Sequence, residues 1–180
     1  MSFSVKPKKT YTEASLYEYA VGALGRRMRT VAELKRLLRT KAGAGESEAA
    51  MIEAVILKLK DQKYLNDSRY AATYSRLRQE NERFGKRRVI TDLKVKGVHG
   101  EIIETAVEQA YANVSEEQLA RQFLERKRLR KPNTQKDAAR VMRTLLRAGF
   151  SLNIVYKLLK KWDVEEDVLH ALESEAEFEN

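Results

Sequence analysis

One pattern returns three times along this 180-residue chain and restricts its fold more than any other feature. Leu38-Arg39-Thr40-Lys41-Ala42 aligns with Leu93-Lys94-Val95-Lys96-Gly97 and with Leu145-Leu146-Arg147-Ala148-Gly149. The leucines lie 55 and 52 residues apart, and each string closes a short amphipathic segment before another begins. Self-similarity at a period near fifty residues marks a repeat architecture. A unit that small sits near the lower limit for independent stability, so neighbours are expected to stack and share apolar surface. The expected fold class is all-α: three tandem three-helix repeats stacked into an elongated, curved solenoid-like body, with a C-terminal acidic helix or tail.

Local signals agree with helices throughout. Leu16, Ala20 and Leu24 fall at i, i+4, i+8, with Gly25 as the expected stop. Thr30-Val31-Ala32-Glu33 has the form of a capping box, in which the Thr oxygen accepts a backbone N–H and the Glu reaches back. Ser115-Glu116-Glu117-Gln118 repeats that form. Ser47 and Ser151 open further segments, Asp67 is expected to N-cap another, and Tyr64-Leu65 to pack in front of it as a staple-like pair. Gly97 and Gly149 suit left-handed helix ends, and Pro132 prevents continuation of the helix before it. The boundaries expected are a flexible lead over 1–10, repeats over 11–65, 66–113 and 114–161, and an acidic tail over 162–180, with Val164, Val168 and Leu172 as its apolar stripe.

Charge is distributed unevenly. The net charge is +9, yet residues 162–180 carry eight acidic and no basic side chains, while residues 114–161 carry 13 basic and 4 acidic ones. A cationic body with an acidic end has the electrostatic footprint of something that meets a polyanion. Enzymatic and metal constellations are missing from the pattern. With no cysteine, disulfides, thiolate catalysis and Cys-based zinc sites are excluded together. His99 and His170 lie too far apart to suggest a two-His site, and Gly43-Ala44-Gly45, followed by Glu46 and Glu48, would repel a pyrophosphate. No catalytic residue, cofactor or metal is therefore expected. Mean hydropathy is −0.57, and no apolar run is long enough to span a membrane, so no membrane partner and a cytoplasmic location are expected.

The candidate partner- or nucleic-acid-binding residues are basic. Residues 121–131 hold Arg121, Arg126, Lys127, Arg128, Arg130 and Lys131, which at 100° per residue spread round most of a helix and so should protrude. Together with Lys136, Arg140, Arg143 and Arg147 they form the strongest phosphate- or carboxylate-binding candidate. Lys86, Arg87 and Arg88 at a helix start are a second cluster, in a position the helix dipole disfavours for cations. Arg69, Arg76 and Arg83, spaced by seven, would share one helix face, and Arg26, Arg27 and Arg29 form a further cluster between helices. Tyr70 and Tyr74 read as core residues.

The string Tyr64-Leu65-Asn66-Asp67-Ser68-Arg69-Tyr70-Ala71, followed by Gly85-Lys86-Arg87-Arg88-Val89-Ile90 and Leu93-Lys94-Val95-Lys96-Gly97-Val98, resembles the signature of the RecX family of bacterial recombinase regulators. Glu33-Leu34 with Leu37-Leu38, and Leu145 through Gly149-Phe150-Ser151, extend the resemblance over about residues 14–160. Two positions depart from it: Lys63 stands where the family has a glycine, and Ala42 stands at the first unit's glycine stop. The resemblance implies a regulator without catalysis of its own. It implies three three-helix repeats that lodge in the groove of the RecA–single-stranded-DNA filament and inhibit its ATPase, strand-exchange and co-protease activities, with direct binding to single-stranded and double-stranded DNA besides. A monomer acting in recombination, DNA repair and the SOS response is expected. The rival reading is a direct DNA-binding protein with helix-turn-helix-like modules.

Overall fold

The computed structural model describes residues 11–162 and 164; the lead over 1–10 and all of the acidic tail except Trp162 and Val164 lie outside the described residues. Among the described residues there are nine helices and no strand: α1 (Glu13–Arg26), α2 (Val31–Ala42), α3 (Glu46–Asp61), α4 (Asp67–Glu80), α5 (Lys86–Val95), α6 (Gly100–Tyr111), α7 (Glu116–Arg126), α8 (Gln135–Arg147) and α9 (Leu152–Lys160). The fold is all-α, as the periodicity predicts. Two compact units are built from them. The first holds α1 to α3, the opening of α4 and Lys96–His99; the second holds the rest.

In the first unit, α1, α2 and α3 pack around Leu16, Ala20, Leu34, Leu38, Ile52, Val55, Ile56 and Leu59, with Leu65 closing one end. α1 runs through Gly25 to Arg26, one residue beyond the expected stop, and α3 starts at Glu46 from the N-cap Gly45 rather than at Ser47. The Thr30 capping box forms in full: Thr30 Oγ1 accepts from the Glu33 N–H at 3.1 Å, and Glu33 Oε2 accepts from the Thr30 N–H at 3.2 Å. The glycine turn after α2 falls on Gly43, at φ +111, so Ala42 can remain helical.

The cap of α4 differs from expectation. Asn66 Oδ1 accepts the Arg69 N–H at 2.8 Å and so caps the helix, whereas Asp67 is its first residue. The Asp67 carboxylate instead accepts from the Val31 N–H at 2.9 Å, supplying a partner to an orphan donor in the first turn of α2. Burial raises the Asp67 pKa, and the Val31 N–H offsets only part of that. The segment after α5 is seated on the same end of α2. Thr30 Oγ1 donates to the Lys96 carbonyl at 2.7 Å, and Lys96 Nζ pairs with Glu33 at 3.1 Å. Burial pushes the Glu33 carboxyl up, but Lys96, the Thr30 N–H and Arg27 outweigh it and hold it below the usual carboxylate range. Gly97, at φ +76, passes so close to Ala32 that a Cβ there would lie 2.5 Å from the alanine methyl.

The second unit contains the corresponding joint one repeat later. Gly85 N–H donates to the Ala148 carbonyl at 2.8 Å and Arg87 N–H to the Gly149 carbonyl at 3.3 Å. A Cβ on Gly85 would collide with the Gly149 backbone, and one on Gly149, at φ +91, with the backbone of Arg88. The glycine that ends one middle helix thus rests on the start of another at each joint. The explanation is local: only a residue without Cβ permits both the left-handed turn and the backbone approach. Phe150, fully buried, packs edge-on to Phe123 at 5.8 Å, and Phe123 meets Phe84 at 6.3 Å. Tyr111 donates its hydroxyl to the Phe84 carbonyl at 2.7 Å, and burial holds its phenol far above the ordinary value. Glu116 accepts from both the Ser151 N–H (2.7 Å) and its hydroxyl (3.0 Å), which places a carboxylate at the positive end of α9.

Candidate functional site

The basic residues singled out by sequence divide by what they touch. α7 ends at Arg126, five residues before Lys131, so the expected protruding helix over 121–131 does not form. A Schellman turn closes it: Leu129 N–H bonds to the Leu124 carbonyl and Arg128 N–H to that of Glu125, each at 2.9 Å, with Arg128 in the left-handed region at φ 54. Phe123 and Leu124 at the helix end are buried. Arg121 is held on Glu117 at 3.0 Å, Arg126 on Glu82 at 2.7 Å, and Lys127 lies over the Phe123 ring at 5.8 Å. Arg128, Arg130 and Lys131 are exposed beyond the helix.

Glu117 gathers three cations, with Lys157 at 2.8 Å and Lys161 at 2.6 Å beside Arg121. The bonds from Lys157, Lys161 and Arg121 bring its pKa down to about 2. Glu82 is likewise lowered, chiefly by Arg126. These carboxylates occupy Arg121 and Arg126, two of the side chains that sequence alone offered to a phosphate.

The second cluster is also partly engaged. Arg88 pairs with Asp92 at 3.1 Å, and Lys86 lies 6.0 Å from the centre of the Tyr111 ring, while Arg87 is exposed. The expected common face of Arg69, Arg76 and Arg83 loses its last member. Arg76 is on α4, paired with Glu80 at 2.8 Å, but α4 stops at Glu80, and Arg83 sits past its end at φ 57. Arg83 lines a groove with Arg126 and Glu125, and Arg69 lines a different cavity in the first unit. Tyr70 is core as expected; Tyr74 is half-buried and donates to Asp92 at 3.1 Å.

α8 offers the most coherent cationic surface. Ala138, Ala139, Val141, Met142 and Leu145 are its buried face. Lys136, Arg140, Arg143 and Arg147 are all exposed and follow i, i+4, i+7, i+11, which at 100° per residue confines them to an arc of about 60° and a length of about 16 Å. None of the four has a carboxylate partner among the described residues, whose ion pairs involve other cations. Asp137, on the same helix, lies about 100° from Lys136 and is engaged with Thr134 at 2.7 Å. A row of unpaired guanidinium groups on one helix face, with an ammonium at its start, can bind an extended polyanion, phosphate or carboxylate, along the helix.

Among the described residues no group of His, Asp and Glu could hold a metal ion, and no helix is long and apolar enough to cross a membrane. What the fold and its cationic helix define is a repeat-built, all-α protein with an unpaired basic face on α8. Comparison with known proteins narrows this. The model of the second three-helix domain of RecX matches residues 66–107. The chain is 32% identical over 155 residues to the regulatory protein RecX of Leptothrix cholodnii, covering 86% of this chain and 94% of that protein. It is 31% identical over 153 residues to the regulatory protein RecX of Bacillus pumilus, where it covers 84% of this chain and spans 57% of the relative's length. Two solved RecX structures share the fold at 23% identity: one has a TM-score of 0.65, covering 83% of this chain and 71% of that one. The other, RecX from Lactobacillus salivarius, has a TM-score of 0.61 over 84% and 96%. The chain belongs to the RecX family of regulatory proteins.

Proposed function

We propose that this chain binds the RecA filament assembled on single-stranded DNA and inhibits its ATPase, strand-exchange and co-protease activities, so modulating recombination and the SOS response in the cytoplasm. Family membership supports the partner, and the unpaired cation row of α8 is the observation that carries the mode of binding. Residues Lys136, Arg140, Arg143 and Arg147 meet DNA phosphates or acidic recombinase surface. Arg128, Arg130, Lys131 and Arg87 extend the contact. Arg121, Arg126, Arg76 and Arg88 contribute less, because each must first leave a carboxylate. Several modest contacts along one monomer combine through effective concentration, so no single anchor is required. Occupying the filament's groove excludes a second duplex, and holding neighbouring subunits together opposes the motions that nucleotide turnover needs.

Reading of base edges by α6, the third helix of the middle repeat, is disfavoured by charge. The exposed face of α6 carries Glu101, Glu104 and Glu108, which a DNA groove would repel. The test is titration of the protein into recombinase on single-stranded DNA with ATP hydrolysis as readout and bare DNA as control. Dose-dependent suppression supports the proposal. Unchanged hydrolysis, with retention of one duplex sequence against competitor DNA, supports the rival.

A further inference from the structure

A second place in the molecule meets the requirements of an anion-binding site with an aromatic wall. In the first unit, Val21 and Leu24 of α1, Met28 and Arg29 of the following connection, Tyr64 and Arg69 line a cavity of about 250 Å³. No aspartate or glutamate lines it. Tyr64 follows a Schellman turn at the end of α3, where Lys63 N–H bonds to the Lys60 carbonyl and Tyr64 N–H to that of Leu59, both at 3.0 Å. Such turns usually tuck the residue in Tyr64's place against the one in Leu59's place. Here Leu59 is buried, while Tyr64 is 56% exposed, so a large ring beside a hydrogen-bonded turn is left uncovered. Met28 is likewise exposed. The polar side of the cavity is unpaired. Arg29 Nε is buried with no hydrogen-bond partner among the described residues, and Arg69 has no carboxylate partner there either.

We propose that this cavity is a nucleotide subsite for single-stranded DNA, in which a base stacks on Tyr64 against the Met28 side and the adjoining phosphate is held by Arg29 and Arg69. An aromatic platform beside cations is the recurring means of holding unpaired bases. Two arginines with no acid between them select an anion, and the apolar wall selects one joined to a flat ring. The inference deepens the reading that the chain meets DNA, and it is tested without recombinase.

The full chain is bound to a short oligothymidylate carrying one iododeoxyuridine, irradiated, and the crosslinked peptide mapped, while anisotropy gives affinities for variants. A crosslink at Tyr64 or Met28 is expected. Tyr64→Ala should weaken binding about tenfold, within the range of one stacked base, and Tyr64→Trp should restore it. Arg69→Gln should lower the salt slope by about 0.7. Unchanged affinity in Tyr64→Ala, with the crosslink elsewhere, overturns the proposal and leaves the α8 surface intact. Loss of the crosslink to equimolar free thymidine monophosphate, or Tyr64→Ala impairing recombinase inhibition without altering oligonucleotide affinity, also overturns it, in favour of a free nucleotide or a protein partner. Conversely, a Tyr64 crosslink in a protein that leaves recombinase hydrolysis untouched upholds this site and defeats the proposed function.

Discussion

The cation row of α8 makes a quantitative prediction about salt. Lys136, Arg140, Arg143 and Arg147 are exposed and unpaired, so each can release a counterion from a phosphate it neutralises. Four contacts to single-stranded DNA contribute about 2.8 to the slope of log affinity against log salt. Between about 50 and about 200 mM salt, that share alone weakens binding about fifty-fold. Replacing Arg140 and Arg143 by Gln should reduce the slope by about 1.4, so the share becomes about sevenfold. Because both side chains are exposed and make no ion pair, folding stability should change by less than about 0.5 kcal/mol. The paired change Arg121→Gln with Arg126→Gln is the internal control. Those groups sit on Glu117 and Glu82, and removing them should leave the slope nearly unaltered. Anisotropy of a labelled oligothymidylate across the salt series measures both. An equal slope loss from the two pairs, or none from Arg140 and Arg143, would refute the assignment to α8.

Four further outcomes follow from the backbone and from the carboxylate that gathers three cations. Lys63→Gly should stabilise the protein by about 0.5–1 kcal/mol in chemical denaturation, since φ 60 strains a lysine by more than glycine's extra freedom costs the folded state. Gly149→Ala should destabilise by about 2–4 kcal/mol, through its positive φ and its overlap with the Arg88 backbone, whereas Gly22→Ala in the interior of α1 should stabilise by up to about 1 kcal/mol. Glu117 has a folded-state pKa of about 2, below its ordinary value, so its contribution is complete above about pH 4.5 and is lost as pH falls towards 2. The stability gap between the native chain and Glu117→Gln should therefore shrink on acidification, and a gap that stays constant from about pH 6 to about pH 2.5 would contradict the pairing.

Much of the helical plan was legible because its signals are local. The Thr30 capping box needs only residues three apart, and the left-handed ends at Gly97 and Gly149 need only a residue without Cβ. The α4 cap is ambiguous in sequence because Asn66 and Asp67 are both competent caps, and the Asp67 carboxylate is taken up by the Val31 N–H, which is distant in sequence. Lys63 takes the left-handed turn despite its side chain, so the family's missing glycine changes the cost of the turn and not its shape. For the site, composition located the basic third of the chain but could not tell occupied cations from available ones. Arg121 lies four residues from Glu117, a pairing visible at helical spacing, whereas Arg126 meets Glu82 from 44 positions away. The cavity of Tyr64, Arg29 and Arg69 was invisible for the same reason: three chain segments supply it, and Tyr64 reads as a staple until its exposure is known.

The most direct test of the account is chemical footprinting of arginines with phenylglyoxal, with and without recombinase assembled on single-stranded DNA. Arg140, Arg143 and Arg147 should be protected by the filament, while Arg76, facing Glu80 on α4, should react equally in both states. Full reactivity of the three α8 arginines in a complex that still suppresses ATP hydrolysis would contradict it.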